Sequence, residues 1–288
     1  MNTNVLVTGG CGFVGYALTK KLIELGFAVD VVDNLFIGDE AKKPELLGAN
    51  FLGGDVREFD LIPDKQYKYI FHLAAISRIQ PSFTFPDVTL DTNVTGTRKV
   101  LDYARKNNCK VIYAGSSSRH HNPELSPYAM SKFLGEQLCR LYRKVYNVDV
   151  DIARFYNVYG EGELVHSHMA AVIGIFRKQI QMQIPLTVHG DGEQRRDFTH
   201  IDDIVDGLIK IAYNTTPHTD AWELGAGFNY SINQVFDMFN EKYNFTLQKN
   251  HVSDVKGNYR RTLRENNDAL DILQWRPKNK LKEYIQSL

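Results

Sequence analysis

In the stretch SPYAMSKFLGEQL, beginning at Ser126, Tyr128 and Lys132 stand four residues apart. On a helix this spacing places both side chains on one face, one turn apart, where an ammonium can lower the proton affinity of a phenol. A free tyrosine titrates near pH ~10, so it needs such help to act as a base at neutral pH. A run of three hydroxyls, Ser116, Ser117 and Ser118, precedes the pair. Tyr and Lys also meet at this spacing by chance on many helices, so the surrounding framework must decide whether the pair is catalytic.

That framework is an alternation of buried strands and amphipathic helices. The runs NVLV (4–7), AVDVVD (28–33), YIFHLAA (69–75), KVIYAGS (110–116) and VDVDIARFY (148–156) read as buried strands. Segments 14–25, 93–106 and 131–146 between them carry helical periodicity. The expected fold is α/β: a Rossmann-type, doubly wound parallel sheet covered on both faces. After Asn157 the alternation loosens into turn-rich sequence such as HGDGEQRRD, with a helix over 232–243, which predicts a smaller C-terminal α/β lobe. The division is 1–160 for the dinucleotide-binding domain, with about 197–228 packing back onto it, and 161–288 mainly for substrate.

Composition narrows the function. With 288 residues, 43% hydrophobic, the chain can bury a large core. Lys plus Arg and Asp plus Glu both total 34, so the basic excess that a nucleic-acid partner requires is missing. Cys11, Cys109 and Cys139 are widely spaced without CxxC, which argues against a disulfide framework or a thiolate zinc site. No metal is expected, and a reducing cytoplasm fits best. No apolar run approaches membrane-spanning length, so no membrane is expected either.

The first strand runs into Gly9-x-x-Gly12-x-x-Gly15, with Phe13 and Val14 opening the helix that follows. Glycines permit a tight turn and close backbone approach, while the helix N-terminus offers free N–H groups to a pyrophosphate. Asp33, ending the second strand, stands where a carboxylate accepts from both ribose hydroxyls, and no Arg follows to receive a 2′-phosphate. The expected cofactor is NAD.

The segments TGGCGFVG, VVDNLFIG, GDVRE, HLAA, NVTGT, SSS, YAMSK, ARFYNVYG and HGDGEQRRDFTHIDD occur in one order along almost the whole chain. In that order the chain resembles an extended short-chain dehydrogenase/reductase, of the NAD-dependent nucleotide-sugar epimerase and dehydratase family. The resemblance implies that Asp33 and Asn34 hold the adenosine ribose and Asp55 and Val56 the adenine. Leu73, Ala74 and Ala75 would border the nicotinamide half, and Lys132 would also bind its ribose. Tyr128 would take the proton from a sugar hydroxyl as hydride leaves the same carbon, with Lys132 and the nicotinamide charge favouring phenolate. Ser118 would hydrogen-bond that oxygen and Asn93 arrange a proton relay; a strand-end hydroxyl and a helix-start cap are the plainer readings.

The family's dehydratases carry an Asp-Glu pair after the catalytic Ser or Thr, where this chain has Arg119 and His120. The expectation is therefore a UDP-sugar 4-epimerase, working by transient C4 oxidation, rotation of the ketone and hydride return. The alternatives are a 4,6-dehydratase or 4-ketosugar reductase, and a non-catalytic NAD-binding sensor. By resemblance Asn157 and Arg196 would meet the substrate diphosphate, and Ser117 and His168 would line the substrate cleft. His166 shares that cleft segment, whereas Arg195 reads as a solvated loop charge. Arg260 or Arg261 would replace a missing C-terminal arginine, Arg261 being the one carried forward. Thr262 would leave room for an N-acetyl group. The chain passes from Ser118 through RHHNPELSP directly to Tyr128, shorter than the family pattern, so part of the wall around the sugar is expected to be missing. A homodimer through the helices 93–106 and 131–146 is implied as well.

Overall fold

The computed structural model describes residues 3–36, 47–62, 65–216 and 218–288; Ile37 and Gly38, the end of VVDNLFIG, lie outside them. The first half of the chain alternates as its apolar runs dictate: β1 (Asn4–Thr8), α1 (Phe13–Glu24), β2 (Ala28–Asp33), β3 (Asn50–Gly53), β4 (Tyr69–His72), α2 (Ile79–Thr84), α3 (Pro86–Leu90), α4 (Gly96–Asn107), β5 (Lys110–Ser116), α5 (Pro127–Tyr146) and β6 (Val150–Phe155). The second half comprises β7 (Asn157–Tyr159), α6 (Val172–Gln181), β8 (Leu186–His189), β9 (Arg195–His200), α7 (Ile201–Tyr213), β10 (Ala221–Leu224), β11 (Asn229–Ser231), α8 (Ile232–Lys242), β12 (Lys249–Val252), α9 (Asp268–Asp271) and α10 (Leu281–Ser287).

Seven strands form one parallel sheet in the order β10-β6-β5-β4-β1-β2-β3. Side chains alternate across a strand, so each run supplies both faces. Val5, Val7, Val31, Phe71 and Ile112 pack toward Leu18 and Leu22 of α1 and Ile204, Leu208 and Ile211 of α7. Leu6, Val32, Ile70 and Val111 pack the other way, toward Val100, Leu101 and Ala104 of α4 and Cys139 and Tyr142 of α5. This is the doubly wound arrangement expected from the sequence. A separate core, built from Ile173, Phe176, Leu186, Val188, Phe198, Val235, Phe236, Phe239, Leu281 and Ile285, holds the second half together. It accompanies the small sheets β11-β9-β7 and β12-β8.

Two strands of the seven-stranded sheet escaped the sequence reading, both short, as did the five strands of the two small sheets. β3 is NFLG, half-exposed at the sheet edge and bounded by Asn and Gly. β10, AWEL, returns from the second half to pair with β6, where Trp222 is fully buried and its Nε1 donates to Asp151 Oδ1 at 3.1 Å. The run 69–75 is strand only to His72; Leu73 to Ala75 turn over the C-terminal end of the sheet. The helix expected over 93–106 begins instead with a widened π turn at Asp91–Thr95, a feature that often marks functional sites.

Candidate active site

One cavity of about 810 Å³ runs along the C-terminal ends of the parallel strands and into the second half, the usual ligand position in open α/β sheets. One end is glycine-built. Gly9 adopts φ +74°, and a Cβ there would lie 2.7 Å from Ala74 N; at Gly15 a Cβ would lie 2.1 Å from Gly9 O. Neither position has room for a side chain, and Gly12, the N-cap of α1, brings no side chain to the helix N-terminus. Phe13, Val14, Asn34, Val56 and Leu73 to Ala75 line this end as expected.

Asp33 lines it too, its Oδ2 accepting from Cys11 N at 2.9 Å and its Oδ1 from Leu35 N at 2.8 Å. Burial raises its pKa against those two bonds. Asp55 stands just behind the wall and accepts from Asn34 Nδ2 at 2.8 Å. Its hydrogen bonds with Arg57 hold its pKa down at about 2. Asp55 thus anchors Asn34 and Arg57, both of which line the cavity.

Tyr128 and Lys132 both line the cavity. Ser126 caps α5 by accepting from Ala129 N at 3.1 Å, and Pro127 takes the first helical turn, where its missing N–H costs nothing. The helix therefore starts four residues earlier than its periodicity predicted and carries Tyr128 in its first turn. Lys132 Nζ donates to Ala114 O at 2.9 Å, and burial lowers its pKa to about 8. The Tyr128 hydroxyl is hydrogen-bonded to Ser116 Oγ at 3.2 Å. Burial raises the phenol's pKa, opposed by the Ser116 bond and by the charge of Arg78.

Several expected residues change roles. Ser118 Oγ is buried in the cavity wall with no hydrogen-bond partner, while the hydroxyl in contact with Tyr128 is Ser116. Ser117 also lines the cavity. Asn93 needs correction: its Oδ1 accepts from Ile76 N at 2.8 Å and its Nδ2 donates to Ile76 O and to Ser131 Oγ. Asn93 does not line the cavity, and with both Nδ2 hydrogens used it clamps the loop after Ala75 to α5.

Arg261 is exposed at a bridge to Arg195 and does not line the cavity; Arg260 is exposed and pairs with Asp191. Arg195 is no free loop charge, since its Nε donates to Asn229 Oδ1 at 2.9 Å. His168 lines the cavity from an exposed position, and His166 does not.

The substrate end holds Asn157, Arg196, Asn258, Tyr259 and Thr262. Arg196 donates to Arg195 O and Asn258 Oδ1, and burial lowers its pKa to about 10. The short loop after Ser118 folds into two 3-10 turns and stacks His121 on Tyr259, ring centroids 3.9 Å apart. Of the two rings, Tyr259 lines the cavity and His121 does not. Arg119 and His120 do not line the cavity. Arg119 lies over Phe133, and His120 joins Glu223 at 2.5 Å and Glu265 at 3.0 Å, with its pKa raised chiefly by the Glu223 bond.

Two lining residues went unread in the sequence: Arg78 and Glu163. Arg78 is the one charged side chain between Lys68 and Asp87, a signal that was available. Glu163 accepts from Tyr284 Oη at 3.1 Å and pairs with Arg177 at 3.4 Å, and burial raises its pKa to about 7.

A sequence profile described as the NAD dependent epimerase/dehydratase family matches residues 5–225. A protein of Methanocaldococcus jannaschii, provisionally assigned as a UDP-glucose 4-epimerase, is 32% identical over 98% of this chain and 96% of its own. The crystal structure of UDP-glucose 4-epimerase from Thermotoga maritima with UDP-glucose superposes with a TM-score of 0.91 at 26% identity, covering 99% of this chain and 96% of that one. UDP-glucuronic acid 4-epimerase from Bacillus cereus, solved with UDP-glucuronic acid and NAD, gives 0.88 at 25% identity, covering 99% and 97%.

Proposed function

We propose a specific reaction for this chain, which belongs to the NAD-dependent epimerase/dehydratase family: inversion at C4 of a UDP-linked sugar. The observation that carries the reading is the company of Tyr128. Its phenol and the open Ser118 hydroxyl share the cavity, whereas the side chains at 119 and 120, where a dehydratase places its acid and base, turn away into ion pairs and ring contacts.

The glycine cradle, Asp33, Asn34, the Leu73 to Ala75 turn and Lys132 fit NAD, the family's cofactor. When bound, NAD supplies a hydride acceptor that returns the same hydride, so no external reductant is consumed. Tyr128 takes the proton from the C4 hydroxyl and later returns it. Lys132, charged below pH ~8, stands one turn away on Ala114 O, and the charge that favours the phenolate is Arg78. Ser118 holds the reacting oxygen. Arg196 and Asn157 hold the diphosphate, the guanidinium fork suiting phosphate oxygens. Turning the 4-keto sugar between the two transfers presents its opposite face.

The reading includes a division of labour, with 1–160 holding the cofactor and 161–288 mainly the substrate. It also includes a homodimer through α4 and α5, supported by Leu141, Val145 and Tyr146 standing exposed on α5. No helix among the described residues is long and apolar enough to cross a membrane. The three cysteines are free and buried, which supports a reducing compartment such as the cytoplasm.

Purified protein with NAD and no reductant, incubated with UDP-hexoses, UDP-N-acetylhexosamines and UDP-hexuronates, tests the reading by NMR and mass of the products. The expected product is a C4 epimer of unchanged mass, formed about 10³-fold more slowly by Tyr128→Phe. One observation favours a second reading, since Glu163 is a cavity carboxyl titrating near neutrality; loss of water from the product would establish a dehydratase instead.

A further inference from the structure

Of the cationic side chains that line the cavity, Arg57 is paired with Asp55 and Asp91, and Lys132 is fixed on Ala114 O. The N-terminus of α1 receives the cofactor's pyrophosphate, and Arg196 the substrate's. That leaves Arg78. It stands at the N-cap of α2 in extended conformation (φ −135°, ψ 144°), three residues beyond the Leu73 to Ala75 turn, and lines the cavity. Its Nε donates to Met169 O at 2.8 Å across the cleft. Among the described residues its guanidinium makes no ion pair within 4.0 Å, and its other N–H groups have no partner.

Burial works against that charge, pushing the Arg78 pKa down. The opposite charges that act on it from the protein are the Tyr128 phenolate, when that forms, and then Glu163, which is already bonded to Tyr284 and Arg177. The side chain is half-buried, and a guanidinium partly withdrawn from water without its own anion is held at some cost. It becomes favourable when a ligand brings a carboxylate matching its planar fork.

The place of Arg78 says where on the ligand that carboxylate sits. The helix that Arg78 opens meets Tyr128 directly, Ser82 Oγ accepting from Tyr128 N at 3.1 Å, whereas Arg196 is held on Asn258 in another part of the cavity. Tyr128 faces the C4 oxygen, so a group beside it is carried on a neighbouring carbon. We propose that Arg78 receives a carboxylate attached next to C4, making the substrate an acidic nucleotide sugar. The acid sits either on C5, as in a hexuronate, or on the C3 oxygen, as in a lactyl ether. This inference rests on the 4-epimerase reading and sharpens it to one substrate class.

The test compares UDP-glucuronate with UDP-glucose, and UDP-N-acetylmuramate with UDP-N-acetylglucosamine, on the NAD-loaded protein. We expect one acid to exceed its neutral counterpart at least tenfold in kcat/KM, and the pair that shows it identifies the carbon. Arg78→Gln should then bring that ratio down by about 30-fold, mainly through KM, and Arg78→Lys should retain part of it as a point charge. A wild-type protein that turns over the neutral sugars as well as the acids overturns the inference and leaves the epimerase standing. So does an Arg78→Gln that slows acid and neutral sugars equally, since that is the mark of an effect on Tyr128 alone. If no sugar is turned over, the epimerase reading falls. Calorimetric binding of UDP-glucuronate and UDP-N-acetylmuramate against their neutral counterparts then still reads Arg78, with equal affinity for acid and neutral forms overturning its role.

Discussion

The two ends of the cavity are built on opposite electrostatic plans. At the cofactor end every charged group has a partner within the protein: Asp33 accepts two backbone N–H groups, Asp55 is paired with Arg57, and Lys132 is fixed on Ala114 O. At the substrate end two guanidinia, Arg78 and Arg196, bond only neutral oxygens. Asn258 accepts from Arg196 through an uncharged amide and so does not neutralise it. One end is complete as a scaffold and recognises its ligand by shape and backbone. The other holds charge in reserve and recognises its ligand by supplying what the ligand must balance.

The comparison breaks most sharply at Gly15. Gly15→Ala drives a Cβ into Gly9 O, so it should cost about 3 kcal/mol of stability and with it NAD binding, read by thermal melting with and without NAD. An unchanged melt would mean that the cradle has slack. Arg196→Met should leave NAD binding intact while raising KM for the UDP-sugar about 30-fold, equivalent to about 2 kcal/mol. A loss in kcat with KM unchanged would place Arg196 elsewhere in the reaction.

Glu163 sharpens the same contrast through pH. Its folded pKa of about 7 lies above the ordinary 4.5, so between these values the folded protein holds a proton that the unfolded chain has released. Its contribution is complete below pH ~4.5 and lost as pH rises through ~7. Glu163→Gln, which has no such proton to lose, should gain about 1–2 kcal/mol over the native protein between pH 5 and pH 8 in denaturant titrations. Parallel pH profiles for the two proteins would remove Glu163 from the list of strained carboxyls.

The same contrast explains what could be read from the sequence. The glycine cradle, Asp33 and the Tyr128 and Lys132 pair are each encoded within a few residues, where local geometry turns spacing directly into position. The alternating runs of β1, β2, β4, β5 and β6 carried the sheet for the same reason. Arg78, Glu163, Arg196 and Tyr259 come from four distant segments, and only the folded chain shows that they line one cavity. Asn93 was visible as a polar residue near a helix start, yet its choice of Ile76 over the cavity depends on how two loops meet. Arg261 misled, as Arg260 would have, because both stand exposed away from the cavity, one at the bridge to Arg195 and the other paired with Asp191. Sequence offers no means of choosing between Ser116 and Ser118 over a single 3-10 turn.

The late return of β10 to the sheet has a consequence for biogenesis. Until Ala221–Leu224 has emerged, β6 is an outer strand with open hydrogen-bonding groups and no Trp222 against it. At about 5–20 residues per second, the ribosome leaves this edge bare for several seconds while the intervening segment is made. A nascent chain of this kind can be caught by edge-to-edge pairing before it is complete. Holdase chaperones that shield strand edges during that interval therefore govern how much of the polypeptide reaches the native state.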